Sequence, residues 1–134
     1  MNPFSVLKAL RQPPESVAGA FAIKRVRSPR DIVHIFGLPV SYPQEKVVLR
    51  HGIQGAMETI MSTSPQEVAM MLKDASEFSG GDVLVAGLGL GVFPQLIEGR
   101  ATSITVVEIE PAVVELVWDA VRDPTWSLIV GDAY

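Results

Sequence analysis

An α/β fold is predicted for this chain of 134 residues, and the pattern that predicts it lies in the second half. Three segments rich in β-branched residues recur there at intervals of roughly 20 residues, with one short helical segment between each pair. These strands are nearly all apolar, which is typical of a parallel sheet buried on both faces. The first of them runs into three glycines at alternate positions. We therefore expect an incomplete Rossmann-like parallel sheet, its first three strands only, preceded by a small N-terminal β-plus-helix segment.

Residues 1–80 are predicted to form an N-terminal β-hairpin and helix segment. A short helix is expected over residues 3–11, because Pro13 and Pro14 cannot continue one. Strand-rich composition then predicts strands over 20–27 and 31–37, a loop over 37–43, and a hairpin over 46–54 with its turn at His51-Gly52. Residues 56–62 either extend the second strand of this hairpin or begin a helix.

The clearest helix start in the chain lies within "STSPQEVAMMLKDASEF". Ser64 is a candidate N-cap, Pro65 occupies the first helical position, and Glu67 completes a capping box. An apolar stripe at helical spacing follows, formed by Val68, Met71, Leu72 and Ala75.

Residues 81–134 are predicted to be the first half of the Rossmann-like domain. The expected elements alternate: strands over 82–87, 103–110 and 126–133, with helices over 92–99 and 111–121. The first strand belongs in the middle of such a sheet, so its free edge would be an association hazard. We expect either that the sequence is a fragment of a longer enzyme, or that another subunit or the N-terminal strands close this edge.

Composition excludes several classes of protein. Hydrophobic residues make up 48% of the chain and cysteine is absent, which excludes a disordered chain, a disulfide framework and a thiolate metal site. The longest uncharged run, residues 83–97, is too short and too rich in glycine to span a bilayer. We expect a cytoplasmic protein with no membrane partner, and a homo-oligomer in which another subunit covers part of the apolar surface.

The net charge of −4 hides an asymmetry between the two parts of the chain. Residues 1–50 carry eight Lys and Arg against three acids, whereas residues 51–134 carry three against twelve. The basic part is compatible with an anionic partner. Its segment "AIKRVRSPR" has no interleaved aromatic residues, however, and charged residues also protect strand edges. We therefore favour a solvated strand edge over a nucleic-acid partner.

The glycine turn within "DVLVAGLGLGVFPQLIEG", residues 82–99, predicts a close approach of the backbone to a ligand. A nucleoside-triphosphate loop requires Lys and then Ser or Thr after its last glycine, whereas Val92 and Phe93 stand there. The dinucleotide fingerprint G-x-G-x-x-G is disfavoured because the third glycine, Gly91, falls one position early. An NAD-dependent oxidoreductase is thus a minor alternative.

Two further features strengthen the prediction of a ligand site. Glu108 ends the second strand, where a ribose presents its two hydroxyls and a charged acceptor binds them strongly. Ile109 would then lie under an adenine face. In "LIVGDAY", Asp132 would accept a hydrogen bond from the adenine amino group, and Ala133 is small enough for its backbone to approach the ring. Two structural alternatives stay open: glycines that serve only a tight crossover, and a solvated acid at the strand end.

Taken together, "VLVAGLGLG", "ITVVEIEPAVVELV" and "LIVGDAY" resemble class I S-adenosylmethionine-dependent methyltransferases, most closely their spermidine-synthase-like branch. The resemblance is confined to about residues 81–134. In that family the glycines line the methionine and ribose part of the cofactor, the acid holds the ribose hydroxyls, and the last turn reads the adenine. The resemblance therefore implies a site for S-adenosylmethionine or its decarboxylated analogue at Gly87, Gly89, Gly91, Glu108, Ile109, Asp132 and Ala133.

The function that the resemblance implies is methyltransferase-like binding of this nucleoside cofactor. A spermidine-synthase-like aminopropyltransferase is the alternative within the fold, and a non-catalytic nucleotide-binding or interaction module is the alternative from another class. The family's sheet has more strands than this sequence supplies, and its acceptor site would lie in the missing half. The acceptor is thus unknown, enzymatic activity stays open, and no catalytic residue and no metal site can be named.

Overall fold

The computed structural model describes residues 3–53 and 56–133. It is a mixed α/β structure with a four-stranded antiparallel sheet and a three-stranded parallel sheet, so the predicted α/β class is confirmed. The helices are α1 (Pro3–Ala9), α2 (Pro65–Ser76), α3 (Val92–Ile97) and α4 (Pro111–Val121). None of these four has the length and apolar character that a membrane span requires. The strands are β1 (Ser16–Ala18), β2 (Phe21–Ile35), β3 (Leu38–Ile53), β4 (Ala56–Ser62), β5 (Gly81–Ala86), β6 (Ala101–Glu108) and β7 (Ser127–Val130).

The parallel sheet has the strand order β5-β6-β7. Its three strands, their parallel arrangement and the two helices between them are as predicted. The prediction that both faces are buried is wrong. Val85 and Val106 on one face pack in the core, whereas Leu84 and Ile129 on the other face are 61% and 53% exposed. No element in the described part of the chain covers these two side chains, so apolar strands do not by themselves establish a second layer.

The antiparallel sheet has the order β1-β2-β3-β4 and is dominated by the long hairpin of β2 and β3. The two strands predicted over 20–27 and 31–37 are one strand, with an irregular register between Ser28 and Asp31. The loop predicted over 37–43 is wrong, because β3 begins at Leu38. The turn consists of Phe36 and Gly37 alone, both with positive φ, as a two-residue hairpin turn requires.

The hairpin turn predicted at His51-Gly52 is also wrong. Both residues lie inside β3, where His51 pairs with Phe21 of β2 and with Glu58 of β4. The His51 and Phe21 rings are 4.6 Å apart between centroids, a cross-strand aromatic pair. The connection from β3 to β4 lies outside the described residues. Residues 56–62 form strand β4, so the strand alternative for this segment is confirmed.

The start of α2 follows the capping signal in the sequence. Ser64 Oγ accepts a hydrogen bond from Glu67 N, and Pro65 is the first helical residue. The reciprocal bond differs from a standard capping box. Glu67 Oε2 accepts from Ser62 N at 2.9 Å, while Ser64 N donates to Ser62 Oγ. The carboxylate therefore fixes the end of β4 to the helix as well as supporting the cap.

We expect Ser64→Ala to lower the free energy of unfolding by about 1 kcal/mol, because it removes the N-cap acceptor of α2. Ser79→Ala, at an exposed position after the same helix, is the matched control and should change stability by less than about 0.5 kcal/mol. Urea denaturation followed by circular dichroism measures both variants. Equal midpoints for the two variants would contradict a stabilising cap at Ser64.

One hydrophobic cluster joins the two halves of the chain. Its buried members come from both sheets and from helices α1 to α4, and include Val6, Ile23, Val68, Val106 and Val117. α4 lies between the sheets, since it contacts β1 and β2 as well as β6. The antiparallel sheet thus packs on the layer that covers one face of the parallel sheet.

The outer edge of β5 is not closed by the N-terminal strands. In the described residues β5 pairs with β6 alone, and β1 to β4 form a sheet of their own. The alternative in which the N-terminal strands complete the parallel sheet is therefore wrong. The other two alternatives, a fragment of a longer enzyme and closure by another subunit, stay predictions.

Candidate functional site

The glycine loop, residues 87–91, connects β5 to α3 at the carboxyl end of the parallel sheet. Gly87 N donates a hydrogen bond to Val107 O at 2.7 Å, which fixes the start of the loop to β6. Gly87, Gly89 and Gly91 have φ angles of 98°, 53° and 70°. This end of a parallel sheet is where α/β proteins bind ligands.

Two loop glycines lie close to neighbouring side chains, a flexible one at Gly89 and a rigid one at Gly91. A Cβ atom added to Gly89 would collide with Met61 Sδ, at the end of β4. A Cβ added to Gly91 would lie 2.5 Å from Val121 Cγ2, in α4. One alternative from the sequence was that the glycines serve only a tight crossover from strand to helix. The packing supports this alternative at Gly91, where the absence of a side chain lets the loop pack on α4.

Glu108 ends β6 and is 8% exposed. Its Oε1 atom accepts a hydrogen bond from Leu88 N at 2.8 Å, and its Oε2 atom accepts one from Glu110 N at 3.1 Å. The carboxylate thus connects the glycine loop to the end of the neighbouring strand. It is not the solvated strand end that the sequence left open as an alternative.

Two adjoining cavities lie beside this carboxylate. The first, of about 180 Å³, is bounded by the ends of the three parallel strands. The second, of about 240 Å³, lies between the glycine loop, β4 and α3. Both are lined by Ala86 and Gly87, so they meet at the end of β5.

The structure brings most of the predicted site residues together. Five of them line the first cavity: Gly87, Glu108, Ile109, Asp132 and Ala133. Gly89 lines the second cavity, again with Gly87. Gly91 lines neither cavity, and its contact with α4 accounts for the glycine there.

Met61 and Phe93 line the second cavity and were not singled out as site residues from the sequence. Phe93 is two residues after Gly91 in the chain, and that proximity is a signal that could have identified it. Met61 is 26 residues before Gly87 in the sequence, and only the packing of β4 against the loop brings it there. No local pattern could have predicted its position.

The loop is poorly suited to a diphosphate. Backbone N–H groups that cradle phosphates must point at the ligand. Here the N–H groups of Gly87, Leu88 and Gly91 donate to Val107 O, Glu108 Oε1 and Leu88 O. No Lys or Arg of the described residues lines either cavity. The described lining therefore offers no cation and few free N–H groups to a diphosphate.

Metal ligands are not clustered in the described ranges, where no group of three or more His, Asp and Glu residues is placed to hold an ion. The chain matches no protein-family model, no curated protein and no solved structure. The chemistry of the cavity residues is therefore the basis for inferring a ligand.

Proposed function

We propose that this chain binds S-adenosylmethionine, or its decarboxylated analogue, across the two adjoining cavities, as a class I methyltransferase-like protein with a Rossmann-like sheet. The observation that carries the proposal is the position of Glu108, whose buried carboxylate lines a cavity together with the glycine loop and the turn after β7. The cofactor would supply the activated group, and the chain would bind and orient it.

Glu108 retains the acceptor capacity that a ribose needs. Each carboxylate oxygen accepts one backbone N–H and carries a second lone pair. Two vicinal hydroxyls that donate to these oxygens would form charge-assisted hydrogen bonds. Such bonds are stronger than hydrogen bonds between neutral groups. A carboxylate already held by two backbone groups would not have to be ordered on binding.

The other residues of the first cavity suit an adenine. Ile109 is 58% exposed, so its side chain offers apolar surface that a flat ring can cover. Ala133 is small, and the Asp132 carboxylate can accept from an exocyclic amino group. The cavity therefore combines one apolar contact with a few polar groups, as small-molecule sites usually do.

Charge supports the same class of ligand. The only charged residues that line the two cavities, within the described part of the chain, are the acids Glu108 and Asp132. S-adenosylmethionine carries a sulfonium, an ammonium and a carboxylate group and is a net cation, whereas NADH carries a diphosphate and is an anion. A site with acids and no bases attracts the first and disfavours the second.

The second candidate is a spermidine-synthase-like aminopropyltransferase. Its polyamine substrates are cations, and the excess of twelve acids over three bases in residues 51–134 favours such a substrate. Its cofactor would occupy the same cavities, so titration with the decarboxylated analogue separates the two candidates. A non-catalytic module would bind either nucleoside without transferring a group.

We expect saturable binding of S-adenosylmethionine to the purified chain by isothermal titration calorimetry, and no binding of NADH under the same conditions. Tighter binding of the decarboxylated analogue would favour the aminopropyltransferase. Absence of binding in a sample that circular dichroism shows to be folded would contradict the proposal.

A matched pair of variants tests the location of the site. Ile109→Ala should weaken binding about fivefold, because it removes roughly 1 kcal/mol of apolar contact with the adenine. Ile129→Ala is the control, since this side chain is similarly exposed at 53% but lines neither cavity. Equal affinities for the two variants would place the cofactor elsewhere.

A further inference from the structure

A larger cavity, of about 560 Å³, lies between helices α1, α2 and α3. It shares no lining residue with the two cavities of the candidate site. Its volume is in the range of sites that hold one small molecule. A ligand here would therefore be distinct from the proposed nucleoside cofactor.

The lining of this interhelical cavity is partly apolar, with five apolar residues beside six polar or charged ones. Each helix, together with the turn after α1, contributes aliphatic side chains: Val6, Leu10, Leu72 and Leu96. All four belong to the hydrophobic core or pack against it. Such a surface binds a hydrocarbon chain by removing apolar area from water.

One of the two arginines in the lining is neutralised by an acid. Arg11 donates to both carboxylate oxygens of Glu98, at 3.0 Å and 2.8 Å. This hydrogen bonding raises the pKa of Arg11. The pair is also fixed by the bond from Arg11 Nε to Val121 O. The Arg11–Glu98 pair has no net charge that a ligand could complement.

The other arginine has a free charge. Arg100 forms no ion pair among the described residues. Its guanidinium donates to the carbonyls of Ala75 and Phe78 and lies 6.0 Å from the centre of the Phe78 ring. These contacts hold an uncompensated cation beside the aliphatic side chains, and a guanidinium binds carboxylates well.

We propose that the interhelical cavity binds a small amphiphilic anion, with its hydrocarbon chain between α1, α2 and α3 and its carboxylate at Arg100. The aliphatic side chains select the chain, and Arg100, which forms no ion pair among the described residues, selects the head group. A neutral amphiphile lacks the ionic contact, and an amphiphilic cation would meet the charge of Arg100.

The test uses decanoate, decanol and decylamine as probes, each below its micellar concentration, with the full chain. Calorimetric titration should give saturable binding of decanoate that is at least about tenfold tighter than binding of decanol or decylamine. Equal affinities for decanoate and decanol would overturn the assignment of the head group. Absence of saturable decanoate binding would overturn the site.

Two variants locate the probe. Arg100→Gln should weaken decanoate binding about tenfold and leave decanol binding unchanged, whereas Arg122→Gln, outside the cavity, should change neither. Ala9→Trp fills the cavity from an exposed position and should abolish binding of decanoate. If Arg100→Gln fails to fold because its contacts to α2 are lost, Ala9→Trp still tests the proposal. Unchanged binding to folded Ala9→Trp would contradict the proposal.

Discussion

Gly91→Ala should lower the free energy of unfolding by about 3 kcal/mol. Two effects add. Gly91 has a φ of 70°, in the left-handed region that costs an alanine about 1 kcal/mol or more. The new Cβ would also lie 2.5 Å from Cγ2 of Val121, which is fully buried. Val121 Cβ itself would lie 3.0 Å from the new atom, so a rotamer change of Val121 alone would not relieve the contact, and the loop or α4 would have to shift.

Gly99→Ala is the matched control for this variant. Gly99 follows α3, and a Cβ added there would meet no atom within 4 Å. We expect that its stability changes by less than about 0.5 kcal/mol. Urea denaturation monitored by tryptophan fluorescence measures both proteins, because Trp118 lies in α4 itself. A Gly91→Ala protein as stable as the control would show that the loop does not pack on α4 as described.

The elements that the sequence predicted well are those with local signals. The α2 start has Ser64 and Pro65 in consecutive positions, and the α4 start has Pro111. The parallel strands are apolar runs near glycine or proline, and they form in the predicted order, although β6 begins two residues before its predicted start and β7 ends three residues before its predicted end. In each case the information lies within a few residues of the boundary.

The hairpin errors arose because strand pairing is not local. Gly37, Pro39 and Pro43 have the composition of a loop, yet β3 continues through this region because β2 pairs along it. His51-Gly52 has a turn-like composition, but His51 is held between Phe21 and Glu58. Cross-strand partners determined the outcome in both places, and their identity cannot be read from a short segment.

The candidate site likewise has features that local motifs predicted and features that depend on tertiary packing. The ends of β5, β6 and β7 come together because parallel strands place their carboxyl ends at one edge, so motif order predicted the grouping of Gly87, Glu108 and Asp132. The contribution of Met61 depends on how β4 packs against the loop, and it was not predictable. The hydrogen bonds of Glu108 to two backbone groups likewise required the folded chain.

Glu108→Ala is expected to weaken binding of S-adenosylmethionine at least about tenfold, because it removes charge-assisted hydrogen bonds to the ribose. It should also lower the free energy of unfolding by about 2 to 4 kcal/mol, since the N–H groups of Leu88 and Glu110 lose their acceptor. The control is Glu110→Ala, which removes an exposed neighbouring acid that makes no capping bond. It should change both quantities little.

The two roles of Glu108 can be separated by Glu108→Gln. The amide oxygen can still accept one backbone N–H, so part of the stability should return, while the charge that strengthens the ribose bonds is lost. Amide hydrogen exchange at Leu88 measures the structural role, and calorimetric titration measures the binding role. If Glu108→Gln protects Leu88 and still binds weakly, the carboxylate contacts the ligand directly. If binding recovers in parallel with protection, Glu108 only holds the loop, and the ribose contact would have to be assigned to another group.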